Sequence, residues 1–294
     1  WSGLFPEEKT LFSLDRNSLY FHRFLMAEKS VAQKLGERLK KERLHPVDKV
    51  EAAFDALPQS RTLHPNQRAA VLECSSRQTT VVTGGPGTGK TTVVAQILRT
   101  LMALNRRFSL EEEQLTSARI ALVAPTGRAA TRLQESLQLE LSRIPKGGEE
   151  ESDLEELMQL EGSTIHRLLV YTAHEGRYKY NSEEPLPHLL VVVDESSMVD
   201  LHLFNSLLDA LRPEAQLVLI GDVHQLPSVE AGTVLGDIGF AAVRLTHSYR
   251  SQREIIALAE EINSGDGEAA KKRLSEVSCS IAEAAACWGE SSRE

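Results

Sequence analysis

Cysteine is scarce: Cys74, Cys279 and Cys287 are the three in 294 residues. An odd set without C-x-x-C pairs excludes a disulfide framework and a zinc-type structural metal, and fits a reducing compartment, the cytoplasm. Long hydrophobic runs are missing too, none approaching the ~20 residues of a membrane span. There is no positive excess; the net charge is −9. Any nucleic-acid surface must therefore be a local basic groove, and histone-like or tail-driven binding is disfavoured. The start, Trp1-Ser2-Gly3, lacks both Met and a signal-peptide pattern and reads as trimmed. What remains is ordinary for a globular protein, with 41% hydrophobic residues and length for one large domain or two moderate ones.

Residues 1–60 read as a small helical appendage, with Val31, Leu35 and Leu39 spaced by four and Val47 to Leu57 restarting after His45-Pro46. Lys40, Lys41, Arg43 and Lys49 could approach a phosphate backbone. Interleaved with Glu37 and Glu42, they equally describe a solvated helix face. From Thr79 the pattern changes: apolar runs at Thr79–Thr83, Ala118–Ala124, Leu189–Val193 and Gln216–Ile220 alternate with helical stretches. This rhythm predicts a parallel α/β sheet, and the near-continuous Val, Leu and Ile predict strands covered on both faces. Each run ends in a polar loop, so chemistry is expected at one sheet edge. The acidic stretch Gly147–Glu161 reads as an exposed insertion leading into a helix.

The first of these loops is Gly84-Gly85-Pro86-Gly87-Thr88-Gly89-Lys90-Thr91, between a strand and the helix-like Thr92–Leu104. Its glycines permit a tight turn that aims N–H groups at phosphate oxygens; Lys90 brings charge to the β/γ-phosphates and Thr91 can hold Mg²⁺. The alternative, an empty strand-to-helix turn, ignores that context. A nucleotide site over Gly85, Pro86, Gly87, Thr88, Gly89, Lys90, Thr91 and Thr92 is expected, with ATP and Mg²⁺ as ligands.

The third run ends in Asp194-Glu195. Asp194 is placed to hold Mg²⁺, and Glu195 to orient the attacking water for in-line displacement. Gln225, five residues beyond Ile220, is a neutral amide that could sense the γ-phosphate, while Gly221-Asp222 suits a turn.

The segments Gly84–Thr91, Ala124-Pro125-Thr126-Gly127-Arg128-Ala129-Ala130, Ser163-Thr164-Ile165-His166-Arg167-Leu168-Leu169, Val193–Met198 and Gly221–Leu226 together resemble superfamily 1 helicases, and among them the RecD family. Leu63–Val71 is similar to that group's adenine-recognition motif, with Gln67 as the base-reading amide. The resemblance covers residues 62–265. It implies a P-loop NTPase (RecA-like) α/β domain, ATP-driven 5′–3′ movement on single-stranded DNA in recombinational repair, and RecB-like and RecC-like partners. It also implies that Pro125, Thr126, Arg128, Thr164 and His166 border the DNA track, where Thr and Arg can donate to phosphates and a His ring can stack. A core role for His166 and a surface role for Arg128 stay open. Leu245–Ser251 resembles the family's Tyr-Arg motif, which makes Arg250 the arginine-finger candidate.

The family continues into a second RecA-like domain whose Val-His-Lys-Ser-Gln-Gly and Thr-Arg-Ala segments have no counterpart here. The expected division is 1–60 helical, 61–245 motor domain and 246–294 an incomplete second domain. The chain reads as a fragment; the alternatives are a natural short form or a partner chain supplying the missing half. A motor-incomplete nucleotide- and DNA-binding subunit is accordingly the second functional reading. A small-molecule kinase or a clamp-loader-like ATPase fits less well, because the loops carry Pro125-Thr126-Gly127 and Thr164-Ile165-His166 rather than an acceptor pocket, and the last residues are too short for a helical sensor domain. No second acidic cluster has two-metal nuclease spacing.

Overall fold

A computed structural model describes residues 11–15, 18–41, 43–58, 62–108, 115–145, 147, 150–172, 174, 176–223, 225, 234–239, 242–247, 257–258, 261–262 and 264–274. The hairpin of β1 (Phe12–Asp15) and β2 (Ser18–Phe21) leads into α1 (His22–Lys40) and α2 (Val47–Asp55). Next come α3 (Pro65–Ser76), β3 (Thr79–Gly84), α4 (Lys90–Phe108), β4 (Ile120–Ala124), α5 (Gly127–Ser142) and α6 (Glu151–Met158). The chain continues through β5 (Gly162–Thr164), α7 (Ile165–Leu169), β6 (Tyr171–Thr172), β7 (Arg177–Tyr178), β8 (Leu190–Val193), α8 (Leu201–Ala210), β9 (Gln216–Gly221), α9 (Val234–Ile238) and β10 (Val243–Leu245). Two compact units form: one runs to Gly84 and from Gly89 to Thr246, the other joins Gly85–Thr88 with the residues from His247 on.

The first unit holds a six-stranded sheet in the order β10-β3-β9-β8-β4-β5, every pair parallel. The four apolar runs of the sequence are β3, β4, β8 and β9, as expected. Their residues alternate between two cores. Val82, Leu122, Val192, Val218 and Ile220 pack with α2 to α6, whereas Val81, Val123, Val191, Val193, Leu217 and Leu219 pack with α1, α7 and α8. Both faces are dry, so each strand position gains by being apolar, about 1.5–3 kcal/mol for each large side chain removed from water.

The hairpin β1–β2 lies in the segment read as helical. Its register pairs Phe12 with Phe21 and Leu14 with Leu19, and all four are exposed. Strands of four residues with their apolar positions toward solvent give no burial signal to read. Nor do the following helices stand apart as an appendage. Val31 and Leu35 of α1 enter one core, Val50 and Phe54 of α2 the other. Arg38 is drawn inside, donating to Thr79 Oγ1 at 3.1 Å, to Arg212 O at 3.3 Å and to Ala215 O. Burial holds its guanidinium below the usual range, Glu214 opposing.

The acidic stretch 147–161 is likewise not simply exposed. Glu150 is buried against Arg99 of α4, with Oε1 at 2.8 Å from Nη2, and Arg99 also donates to Gln96 Oε1 and Pro58 O. In sequence the charge run looks solvated because the partner of Glu150 lies 51 residues away.

Candidate active site

Register lines up the strand ends. Val81 and Val193 both pair with Leu219, Thr83 pairs with Gly221, Val123 with Val193 and Ala124 with Thr164. The carboxyl ends of β3, β9, β8, β4 and β5 therefore form one edge, where ligands of open α/β sheets bind. Expected site segments converge there. Asp194-Glu195 follows a strand one removed from β3, because β9 stands between β3 and β8.

Backbone conformation marks Glu195. It adopts φ 49°, ψ 38°, a left-handed conformation uncommon outside glycine and of the kind that stores ~1–3 kcal/mol of strain. Its Oε2 is buried and has no hydrogen-bond partner. Leaving a buried acceptor unpaired costs about 1–3 kcal/mol. Asp194 is fastened by its N–H to Val123 O at 2.8 Å. Burial pushes its carboxyl above the ordinary aspartate range, the Glu195 charge adding to this; the Glu195 N–H, Lys90 and Arg132 act in the opposite direction.

The strand next door is locked to this pair. Ser196 Oγ donates to Ile220 O at 2.8 Å, and Val223 N–H donates to Thr83 Oγ1 at 3.2 Å. A Cβ on Gly221 would meet Leu235 Cδ2 at 2.6 Å and Ser196 Oγ at 2.9 Å, so a larger residue there requires those side chains to shift. Asp222 is buried, and its carbonyl accepts from Gln225 N at 3.1 Å, which holds half-buried Gln225 on the loop after β9.

In the phosphate loop, Lys90 Nζ donates to Gly84 O at 2.6 Å, folded onto the loop's first residue. Gly89 has φ +82°, and a Cβ there would lie 2.3 Å from Gln67 Nε2. Gln67 is buried in the first turn of α3, where its Oε1 accepts from His64 N at 3.3 Å. Together with His64 Nδ1 accepting from Asn66 N, this makes a capping box with Pro65 behind it. Asn66 Nδ2 donates to Thr246 Oγ1 at 2.8 Å. The expected adenine reader thus sits against the loop. Thr91 and Thr92 open α4, and Thr92 Oγ1 donates to Glu140 Oε2 of α5 at 2.9 Å. Gly85–Thr88 belong to the second unit; there Gly87 has φ 75°, Pro86 is exposed, and buried Thr88 donates to Gly85 O at 2.9 Å.

The expected DNA-side residues follow β4 and β5. Thr126 Oγ1 accepts from Ala129 N and Thr164 Oγ1 from Arg167 N, both at 3.2 Å, so both hydroxyls are N-caps that position α5 and α7. Arg128 and His166 are exposed, Pro125 half-buried. Arg250 lies outside the described residues. Arg132 was missed: four residues after Arg128, it shares that face of α5, and its charge acts on Asp194. That spacing was the available signal.

The chemistry of the donors fits a magnesium nucleotide. Among the described residues no group of three or more His, Cys, Asp and Glu could hold a metal by itself. Mg²⁺ needs no such cage, since one or two protein oxygens plus phosphates suffice, and Asp194 and the Thr91 hydroxyl are of that kind. A parallel sheet carrying this loop and this acidic pair at its edge defines a P-loop NTPase fold.

A protein-family model described as an AAA domain matches residues 67–231. RecBCD enzyme subunit RecD of Mycolicibacterium smegmatis is 44% identical over 218 residues, 69% of this chain and 36% of that one. RecBCD enzyme subunit RecD of Mycobacterium tuberculosis is 39% identical over 277 residues, 91% of this chain and 45% of that one. The ATP-dependent RecD2 DNA helicase of Deinococcus radiodurans is 32% identical over 263 residues, 87% and 32% of the two chains. The chain belongs to this AAA-domain family, on its RecD-like superfamily 1 helicase branch. It spans less than half the length of these curated relatives.

Proposed function

We propose that the chain hydrolyses ATP with Mg²⁺ and couples hydrolysis to 5′–3′ movement on single-stranded DNA in recombinational repair, residues 61–245 forming the ATP-binding motor domain and 246–294 a remnant or start of an incomplete second one. The observation that carries this reading is the buried, unpartnered Oε2 of Glu195 on a strained residue beside Asp194. Such an acceptor, left unpaired at the sheet edge beside Asp194, is available to a ligand.

Thr91 and Asp194 would hold Mg²⁺, which would supply charge neutralisation at the phosphates. Lys90 exchanges its bond to Gly84 O for phosphate oxygens. Glu195 Oε2 orients the attacking water and takes its proton. Gln225 senses the γ-phosphate, Gln67 reads the adenine, Arg250 supplies the finger, and Pro125, Thr126, Arg128, Thr164 and His166 contact the strand.

The relatives' naming as RecBCD subunits supports RecB-like and RecC-like partners. A cytoplasmic setting accords with the likeness to RecBCD subunits and a RecD2 DNA helicase. No helix of the described residues is long and apolar enough to cross a membrane.

Steady-state ATP hydrolysis with and without single-stranded DNA, with Lys90→Ala as blank, tests the proposal. DNA-stimulated turnover is expected. Nucleotide binding without turnover would leave a nucleotide- and DNA-binding subunit as the function of this chain.

A further inference from the structure

The small hairpin after α7 is built around rings rather than around a core. Tyr171 of β6 pairs with Tyr178 of β7, and their centroids stand 5.5 Å apart at 73°, an edge-to-face pair. His166 of α7 lies 6.2 Å from the Tyr178 ring. The three rings are not equally held. Tyr178 and Tyr180 pack against the α1–α7–α8 core, whereas Tyr171 keeps 56% of its surface open.

The backbone accepts strain to bring them together. Val170, the C-cap of α7, has φ 55°, ψ 84°, an outlier for a β-branched residue. Its N–H bonds to His166 O and Arg167 O, and its carbonyl accepts from Lys179 N at 2.9 Å, while Tyr180 N reaches Leu169 O at 3.2 Å. The hairpin is thereby folded back on the helix carrying His166. A surface cavity of about 480 Å³ opens at the pair, lined by Tyr171, Tyr178, Tyr180, Arg177 and Asn181 among others. Arg177 and Lys179 of the hairpin are exposed, pairing with Glu183 and Glu184, and Glu183 and Asp209 also line the cavity.

An exposed ring braced by a core-anchored ring, with cations nearby, is the arrangement on which unpaired bases stack without sequence preference. We propose that Tyr171 and Tyr178, with His166 beside them, form a stacking platform for the bases of a single nucleic-acid strand. This rests on the DNA-motor reading and extends it, since β6–β7 lies one short helix beyond Thr164. Phosphate contacts position a strand; this platform grips its bases.

The test compares binding of the full 294-residue chain to a short oligothymidylate and to an abasic strand of the same length. Wild type is expected to favour the thymidylate. Tyr171→Ala should lose about tenfold in affinity for it, the scale of one base–aromatic stack, with the abasic strand little affected and nucleotide binding unchanged. Tyr171→Phe should restore the preference. If wild type binds thymidylate and Tyr171→Ala keeps the full preference, the platform is overturned and the motor reading stands. An equal loss on both strands overturns it as well, because phosphate contacts or misfolding would produce that. Failure of wild type to bind either strand overturns the platform and the reading beneath it.

Discussion

Glu150 and Glu195 are both carboxylates drawn into the protein, and their surroundings are opposite. Glu150 meets Arg99 through both oxygens, at 2.8 and 3.2 Å, in a pocket where each side chain is under a tenth exposed. Glu195 has a left-handed backbone and an oxygen with no partner. The first site is a closed ion pair: both carboxylate oxygens accept from Arg99 Nη2, which holds the start of α6 against α4. The second is open, with strain and desolvation kept where a substrate can relieve them. A buried charge therefore points to function only when its partners are missing, and otherwise to architecture.

The largest effect expected is at the open site. Lys90→Ala should abolish ATP turnover with little effect on the thermal midpoint, because the lysine is half-buried and its bond to Gly84 O lies within its own loop; hydrolysis assays paired with melting curves check both. Wild-type turnover would refute the site. Glu195→Gln keeps the shape and removes the base, so turnover should fall by about 10² to 10⁴-fold with Mg²⁺-ATP affinity retained. Parallel loss of affinity and turnover would make Glu195 structural, and the contrast with Glu150 would collapse.

At the closed site the pattern reverses. Glu150→Ala leaves the Arg99 guanidinium buried without its carboxylate, and a loss of ~3–5 kcal/mol in urea unfolding is expected, with turnover per folded molecule preserved. A smaller cost would mean that the bonds to Gln96 and Pro58 compensate for the lost carboxylate.

The smallest effect sharpens the comparison through pH. Burial raises the Asp194 carboxyl in the folded state. The unfolded chain then releases its proton first, so Asp194 costs stability as pH rises from the unfolded value through the raised folded one, and costs nothing in acid. Asp194→Asn should accordingly raise the ligand-free melting midpoint modestly at neutral pH and not below the ordinary aspartate range, while abolishing Mg²⁺-dependent nucleotide binding. Melting across a pH series, with and without Mg²⁺-ATP, reads both arms.

Much of this was legible because parallel strands covered on both faces must be apolar throughout. The runs ending at Thr83, Ala124, Val193 and Ile220 announce both the sheet and its functional edge, and Gly84–Thr91 is a local device whose spacing suffices to identify it. The hairpin Phe12–Phe21 was not legible, since its strands are four residues long and turn their apolar side chains outward. Nor was the Thr92–Glu140 bond, between residues on separate helices. Thr126 and Thr164 were expected as strand contacts, and their hydroxyls also cap helices, a use that S/T-initiated helices signal in sequence.

By itself the sequence determined the four apolar strands, their order along the chain, the phosphate loop and the acidic pair, since each is set by neighbours within a few residues: side-chain periodicity, glycine freedom and the chemistry of adjacent groups. Tertiary structure alone decided that β9 separates β3 from β8, that Glu150 is neutralised while Glu195 is not, that Gly221 must admit Ser196, and that Tyr171 leans on Tyr178. Those outcomes depend on which distant segments share a surface, and burial, partnering and field are properties of that shared surface rather than of any stretch of chain.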